Sequence, residues 1–241
     1  MGESRETTRG DLSIDDRALS VLREPSASPG LPAVTLSWAQ SSNGAIAAAG
    51  GVRAALSCPE SLTLTHRLRG MHRGILVGIG TVLSDDPLLS VRLADGPQPQ
   101  PVVLDSRLRF PLSARLLARA DRKPWIFNSD ASAEKARELE RRGARLFVVP
   151  RAGEGLDLAA VLRALAAQGI HSLMVEGGAH VLRSFLSREL ARQAVITVCP
   201  FELEGPCVLE PDAQGRTMPA FLESWQENHG RDTVTWGRFP S

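Results

Sequence analysis

The 241-residue chain has no tyrosine, and Lys123 and Lys135 are its only lysines, so nearly all of its positive charge is carried by arginine. With 28 basic against 27 acidic side chains the formal charge is +1, which excludes a chain-wide attraction to nucleic acid or to an anionic membrane. Three cysteines, Cys58, Cys199 and Cys207, are too few and too unevenly spaced for a disulfide framework, and no pair forms CxxC. A reducing compartment is expected. No run approaches the roughly 18 apolar residues of a membrane span. The first 30 residues hold no apolar stretch of the signal-peptide kind, so a cytoplasmic protein is expected. Against these absences stand 43% hydrophobic and 23% charged residues, enough to bury one real core.

Residues 1–30 end in Pro25-Ser-Ala-Ser-Pro-Gly30 and are expected to be a flexible arm, although Ser13 to Leu22 could form a turn or two of amphipathic helix. Residues 31–241 read as one domain. A strand over Pro32 to Trp38 leads into the turn Ala39 to Gly44. Ser57-Cys-Pro-Glu60 has the spacing of a capping box, which predicts a helix from there to about Arg69. Gly74 to Gly78, Val102 to Leu104 and Trp125 to Phe127 read as short buried strands. Strands at Leu146–Val149 and Ser172–Val175 then alternate with helices over Ser132–Arg142, Asp157–Gln168 and Ala179–Glu189. That alternation predicts an α/β fold with a mainly parallel sheet. Val195–Val198 and Asp232–Trp236 read as late strands, and there is no internal repeat.

The strongest local signal is a strand, then Glu176-Gly177-Gly178, then a helix. A helix N-terminus offers free N–H groups, and glycines let a phosphate come close; an ordinary tight turn fits the same residues. Glu176 at a buried strand end is harder to explain as structure alone. The second glycine loop, Val77 to Thr81, has Leu83 where GxGxxG needs its third glycine, and neither loop holds the lysine of a Walker site. Asp85-Asp86-Pro87 reads as a turn. His66 and His72 are six apart rather than four, and the other histidines lack partners at ligand spacing, so no metal is expected. No Ser/His/Asp set stands out. Arg69 and Arg92 could clamp a phosphate, whereas Arg137, Arg141 and Arg142 fit a solvated helix end.

Taken in order, Ala39 to Ala47, His66-Arg-Leu-Arg69, Gly74 to Pro87, Val102-Val-Leu-Asp-Ser106 and Leu173-Met-Val-Glu-Gly-Gly178 resemble the reductase domain of riboflavin biosynthesis over residues 31 to 205. This domain is the C-terminal half of bacterial RibD and a stand-alone enzyme in archaea and fungi. The resemblance implies a dihydrofolate-reductase-like fold, a twisted and mostly parallel sheet flanked by helices, usually in a homodimer. It implies that NADPH reduces the ribosylamino group of a pyrimidine 5′-phosphate to ribitylamino. Matching positions imply cofactor contacts at Ser57, Thr81, Asp85, Ser106, Gly177 and Gly178. They imply a substrate site at Arg69, Leu89, Arg92 and Glu176, the last being the candidate catalytic group. The zinc deaminase signature is absent, since Pro206-Cys207 has no second cysteine after it.

Several positions depart from the family pattern. The usual Asp and Lys of the first motif are Asn43 and Ala45, a position that usually carries a small hydroxyl is Arg53, and the usual Leu-Val-Asp-Glu reads Leu190-Ala-Arg-Gln193. Three readings therefore stay open: a riboflavin-pathway reductase with a rearranged pocket, a paralog reducing another heterocycle or imine, and a catalytically silent nucleotide-binding or partner-binding subunit.

Overall fold

The structure is a computed structural model that describes residues 12–24, 30–51, 54–129, 133–210, 215 and 217–240. Seven strands run parallel: β1 (Ala33–Ser41), β2 (Gly74–Gly78), β3 (Gln100–Leu104), β4 (Trp125–Asn128), β5 (Arg145–Val148), β8 (Ser172–Val175) and β9 (Gln193–Cys199). The antiparallel pair β10 (Glu223–His229) and β11 (Asp232–Arg238) extends one edge through β9. The order is β10-β11-β9-β1-β8-β2-β3-β4-β5. Strands covered on both faces need apolar side chains at every position, which is why Gly74–Gly78 is buried throughout and carries no polar alternation.

Alternate residues of each strand serve opposite layers. Leu76, Val102, Phe127 and Val175 face α6 (Leu158–Ala167) and α7 (Ala179–Leu186), whose Leu162, Leu165, Leu182 and Phe185 complete that core. Ile75, Val77, Val103 and Ile126 pack on the other side with Val82 of α3 (Ile79–Asp85), Leu116 of α4 (Arg115–Ala118) and Leu139 of α5 (Ala133–Arg141). Around β9 and β11 the cover comes from α2 (Pro59–Met71) and α1 (Ile14–Arg23).

Two expectations change. The flexible arm does not describe Ile14–Arg23: this segment is a helix capped by Ser13, and its Ile14, Ala18 and Val21 are buried against Leu64, Leu68, Val195 and Trp236. Apolar burial on that scale outweighs the freedom of a solvated arm. Charged contacts fix the far end, where Glu24 accepts from both Arg192 and Arg238. The rest of the expected arm, residues 1–11 and 25–29, lies outside the described residues. The capping box also fails, because the cap of α2 is Cys58 rather than Ser57, with Pro59 as first helical residue. Cys58 is held there by its own N–H, which donates to Asp232 Oδ2 at 2.7 Å, and by its thiol, which donates to the His229 carbonyl.

β10 and the small hairpin of β6 (Arg151–Ala152) and β7 (Gly155–Leu156) carry no apolar alternation that would mark them as strands. Pairing with β11 makes β10, and the turn at Gly153, with φ 62°, makes the hairpin. Among the described residues no helix is long and apolar enough to cross a membrane.

Candidate active site

The topology opens a cleft at one point. β1 pairs with β8 only from Ala33 to Leu36; there β8 ends at Val175, while β1 continues to Ser41 beside β9. The vacated edge of Ser37, Trp38 and Ala39 becomes a wall of the cleft, and the segments after β2, β3 and β8, the inner face of α2 and the Arg151–Leu156 hairpin close the rest. This is where β8 is inserted between β1 and β2, the kind of switch point at which parallel sheets bind ligands. The cavity measures about 1410 Å³. Its described lining carries seven arginines against three carboxylates, so a chain that is nearly neutral as a whole has a locally cationic cleft.

All ten residues singled out from the sequence meet here: Ser57, Arg69, Thr81, Asp85, Leu89 and Arg92 from one stretch of chain, with Ser106, Glu176, Gly177 and Gly178. Glu176 is set by its own N–H, which donates to Leu76 O across the end of the sheet. Its carboxylate takes a bidentate fork from Arg69, Nε to Oε1 at 2.7 Å and Nη2 to Oε2 at 2.6 Å. Arg69 Nη1 donates to Ser90 O at 3.1 Å. Burial alone would lower the Arg69 pKa, but the Glu176 charge and its hydrogen bonds outweigh it and raise it. Arg69 as a free phosphate clamp is therefore corrected. Its fork is engaged with Glu176, and Arg92 lines the same cleft.

The glycines divide by role. A Cβ on Gly177 would lie 2.7 Å from Val181 Cβ, so this glycine is required by the tight entry of the chain into the first turn of α7. A Cβ on Gly178 would meet nothing within 4 Å. Gly178 is the N-cap of α7, no side chain caps that helix, and its first amides are available to an anion in the cleft. Ser106 lies in the loop after β3, from which Arg107 and Arg109 also reach the cleft, and Arg115 joins them from α4. This donor set suits a phosphorylated dinucleotide, with backbone amides for a pyrophosphate and arginines for a further phosphate. Asp86 is the turn former expected: it ends α3 at φ 40° and its Oδ1 accepts from the Arg115 amide at 2.9 Å.

Sequence reasoning set His66 aside as half of an unlikely zinc pair. It is 1% exposed beside the cleft, its Nδ1 accepts the Arg92 amide at 3.0 Å, and its Nε2 lies 3.3 Å from Arg69 Nη1. Burial, then the charges of Arg69 and Arg92, push its pKa down to about 4. Among the described residues no three His, Cys, Asp or Glu side chains form a group that could hold a metal ion.

The departures from pattern also find places. Asn43 accepts from Leu203 N at 3.1 Å and donates to Leu203 O at 3.2 Å, a two-way clasp that a carboxylate could not make. Ala45 is buried and bridges to Cys207, while Ile46 and Ala47 line the cleft. Arg53 lies outside the described residues. Arg192 and Gln193 serve α1, not the substrate side: Arg192 pairs with Glu24, and Gln193 Nε2 donates to Ala18 O.

A 37% identical relative in Archaeoglobus fulgidus is a 2,5-diamino-6-ribosylamino-4(3H)-pyrimidinone 5′-phosphate reductase; 72% of this chain matches 83% of that protein. The riboflavin biosynthesis protein RibD of Aquifex aeolicus is 35% identical over 70% of the chain, which spans only 46% of its length. Among solved structures, the riboflavin biosynthesis reductase Rib7 of Saccharomyces cerevisiae aligns with a TM-score of 0.71 at 25% identity, over 90% of this chain and 93% of that one. The RibD C-terminal domain model matches residues 32–209, and the chain belongs to that family.

Proposed function

We propose that this chain is an NADPH-dependent reductase that converts the ribosylamino group of a pyrimidine 5′-phosphate to ribitylamino in riboflavin biosynthesis. The observation that supports it most is the convergence of Arg69, Leu89, Arg92 and Glu176 with the uncapped, glycine-led start of α7 in one arginine-rich cleft. Ser57, Thr81, Asp85, Ser106, Gly177 and Gly178 are assigned to the cofactor, Gly177 by letting the chain turn tightly into α7 and Gly178 by leaving the first amides of α7 without a side-chain cap. When bound, the reduced nicotinamide supplies a hydride to C1′ of the ring-opened imine, and the imine nitrogen gains a proton.

What the chain's own residues contribute is alignment and charge. Arg92 is assigned to the 5′-phosphate, which it can meet through a planar fork. Glu176, pinned by Arg69, presents a fixed acceptor to the donors of the substrate. Leu89 supplies the apolar contact beside them.

The test is purified protein with NADPH and, separately, the diamino and the deaminated pyrimidine. NADPH oxidation with either supports the reading. Binding without oxidation favours a paralogous reductase of another heterocycle or imine, for which the lost cation at Ala45 is the motivating feature. Absence of a thermal shift with NADPH would undercut both enzyme readings. A homodimer is proposed as its assembly, to be read from mass by light scattering.

A further inference from the structure

The segment Leu88–Arg92 carries both Leu89 and Arg92 into the cleft, yet it has neither helix nor strand, and Leu89 holds a left-handed φ of 49°. A bulky side chain adopts that conformation only where its surroundings enforce it. Here side chains from other segments grip the backbone residue by residue. Buried Arg119 donates through Nη1 to Leu88 O at 2.9 Å and to Leu89 O at 3.0 Å. Arg69 takes Ser90 O. Gln98 accepts from Val91 N at 2.9 Å and donates to Val91 O at 2.7 Å. His66 Nδ1 accepts from Arg92 N. Arg119 is itself locked, through Nε and Nη2 to the two oxygens of Asp121 at 3.0 and 2.5 Å, with Gln98 Oε1 3.4 Å from its Nη2.

We infer that Arg119, Gln98 and His66 are positioning residues, which hold Leu88–Arg92 in the one conformation that turns Leu89 and Arg92 toward the substrate. The inference rests on the proposed substrate side of the cleft. None of the three was singled out as a site residue from the sequence, and Arg119 and Gln98 are absent from the cleft lining. The backbone amide of Arg92 can only donate, so Nδ1 of His66 is the acceptor of that bond. Asparagine at 66 could still offer an oxygen at the Nδ1 position, and lysine at 119 could still reach the two carbonyls without the Asp121 fork.

Two readouts test this. Amide hydrogen exchange is compared in the wild type and in Gln98→Ala, His66→Ala and His66→Asn. Steady-state kinetics with NADPH and the ribosylaminopyrimidine phosphate are compared in these and in Arg119→Ala and Arg119→Lys. Exchange at Val91 is expected to rise about tenfold or more in Gln98→Ala, and at Arg92 in His66→Ala, with β3 amides unchanged and with recovery in His66→Asn. Arg119→Ala is expected to raise the substrate KM about tenfold while NADPH affinity stays within about twofold, and Arg119→Lys to recover part of it. If Arg119→Ala does not fold, the His66 and Gln98 variants decide. Unchanged exchange at Val91 and Arg92 overturns the grip, and faster exchange with unchanged KM overturns the positioning role. A wild type inactive on both pyrimidines defeats the proposed reaction and the substrate role together, while the exchange data still decide the grip.

Discussion

Arg69 and Glu176 stand 107 positions apart and meet in a two-pronged ion pair of 2.7 and 2.6 Å at the cleft. Both side chains are largely out of solvent, at 13% and 16% exposure, so neither charge is comfortable without the other. Glu176→Gln keeps an acceptor but removes the charge that Arg69 was folded against. The expected cost is about 1–3 kcal/mol of stability and a fall in kcat of about tenfold or more. NADPH affinity is expected to stay within about twofold. Urea unfolding, turnover and a fluorescence titration with NADPH check the three parts separately. A loss of NADPH binding as large as the loss of turnover would take Glu176 off the substrate side.

The adjacent glycines are predicted to answer differently to the same substitution. Alanine at 177 would drive its Cβ to 2.7 and 2.9 Å from Val181 Cβ and Cγ1, which α7 can relieve only by shifting. A loss of about 1–3 kcal/mol is expected, and combining it with Val181→Ala should recover part of it in a double-mutant cycle. Alanine at 178 has open space and an ordinary φ of −69°. Its stability cost should stay below about 1 kcal/mol, while its Cβ, standing beside the open amides of α7, weakens NADPH several-fold. Equal effects on stability would contradict the division of roles.

How much of this was legible in the sequence follows the kind of interaction. Buried parallel strands announce themselves as apolar runs, and Gly74–Gly78 and Ser172–Val175 form the strands that their sequences predict. Thr81, Glu176, Gly177 and Gly178 follow those two strands, so reading the strands brings these four to one end of the sheet, where they line the cleft. α1 was misjudged because its apolar stripe is short and its partners, β11 and α2, lie far along the chain. The departures at Arg192 and Gln193 looked like changes to a pocket for the same reason, since only the docked helix shows that they bind Glu24 and Ala18. β10 is an edge strand with polar residues on both faces and no signal of its own. His66, Gln98 and Arg119 act through backbone atoms of another segment, and no spacing rule encodes such contacts.

Arg92 is predicted to act on the substrate and not on the cofactor. Arg92→Ala is expected to raise the KM for the pyrimidine phosphate about tenfold or more with kcat within about threefold, because a phosphate grip acts equally in the ground and transition states. Arg92→Lys should recover only part of the loss, since an ammonium lacks the planar fork. Steady-state kinetics at saturating NADPH measure both. An unchanged KM in the alanine variant would leave Arg92 an ordinary surface cation.

His72 makes the stability of the fold depend on pH, through a buried chain of hydrogen bonds whose directions are all fixed. Trp236 Nε1 donates to Gln193 Oε1, Gln193 Nε2 donates to Thr35 Oγ1, Thr35 donates to His72 Nε2, and His72 Nδ1 donates to Leu68 O. The ring is neutral in this arrangement, and a second proton on Nε2 would meet a hydroxyl already committed as donor. Burial pushes the His72 pKa down to about 4, against the opposing pull of the Leu68 carbonyl and the Glu176 charge. In the unfolded chain the same ring titrates near its ordinary value of about 6.5. Between those two values the unfolded state takes up a proton that the native state refuses, so stability falls as pH falls through that window and levels off below about pH 4. The contribution of His72 is about 3 kcal/mol across the window. His66, facing Arg69, Arg92 and Glu176, adds a slope of the same sign. Urea unfolding between about pH 7 and pH 4.5 should therefore show a loss that His72→Gln, which cannot titrate, reduces by roughly the His72 share whatever its own cost at neutral pH. The same slope in His72→Gln as in the wild type would mean that the ring already carries its proton in the native state, and that the chain from Trp236 to Leu68 is wired in another direction.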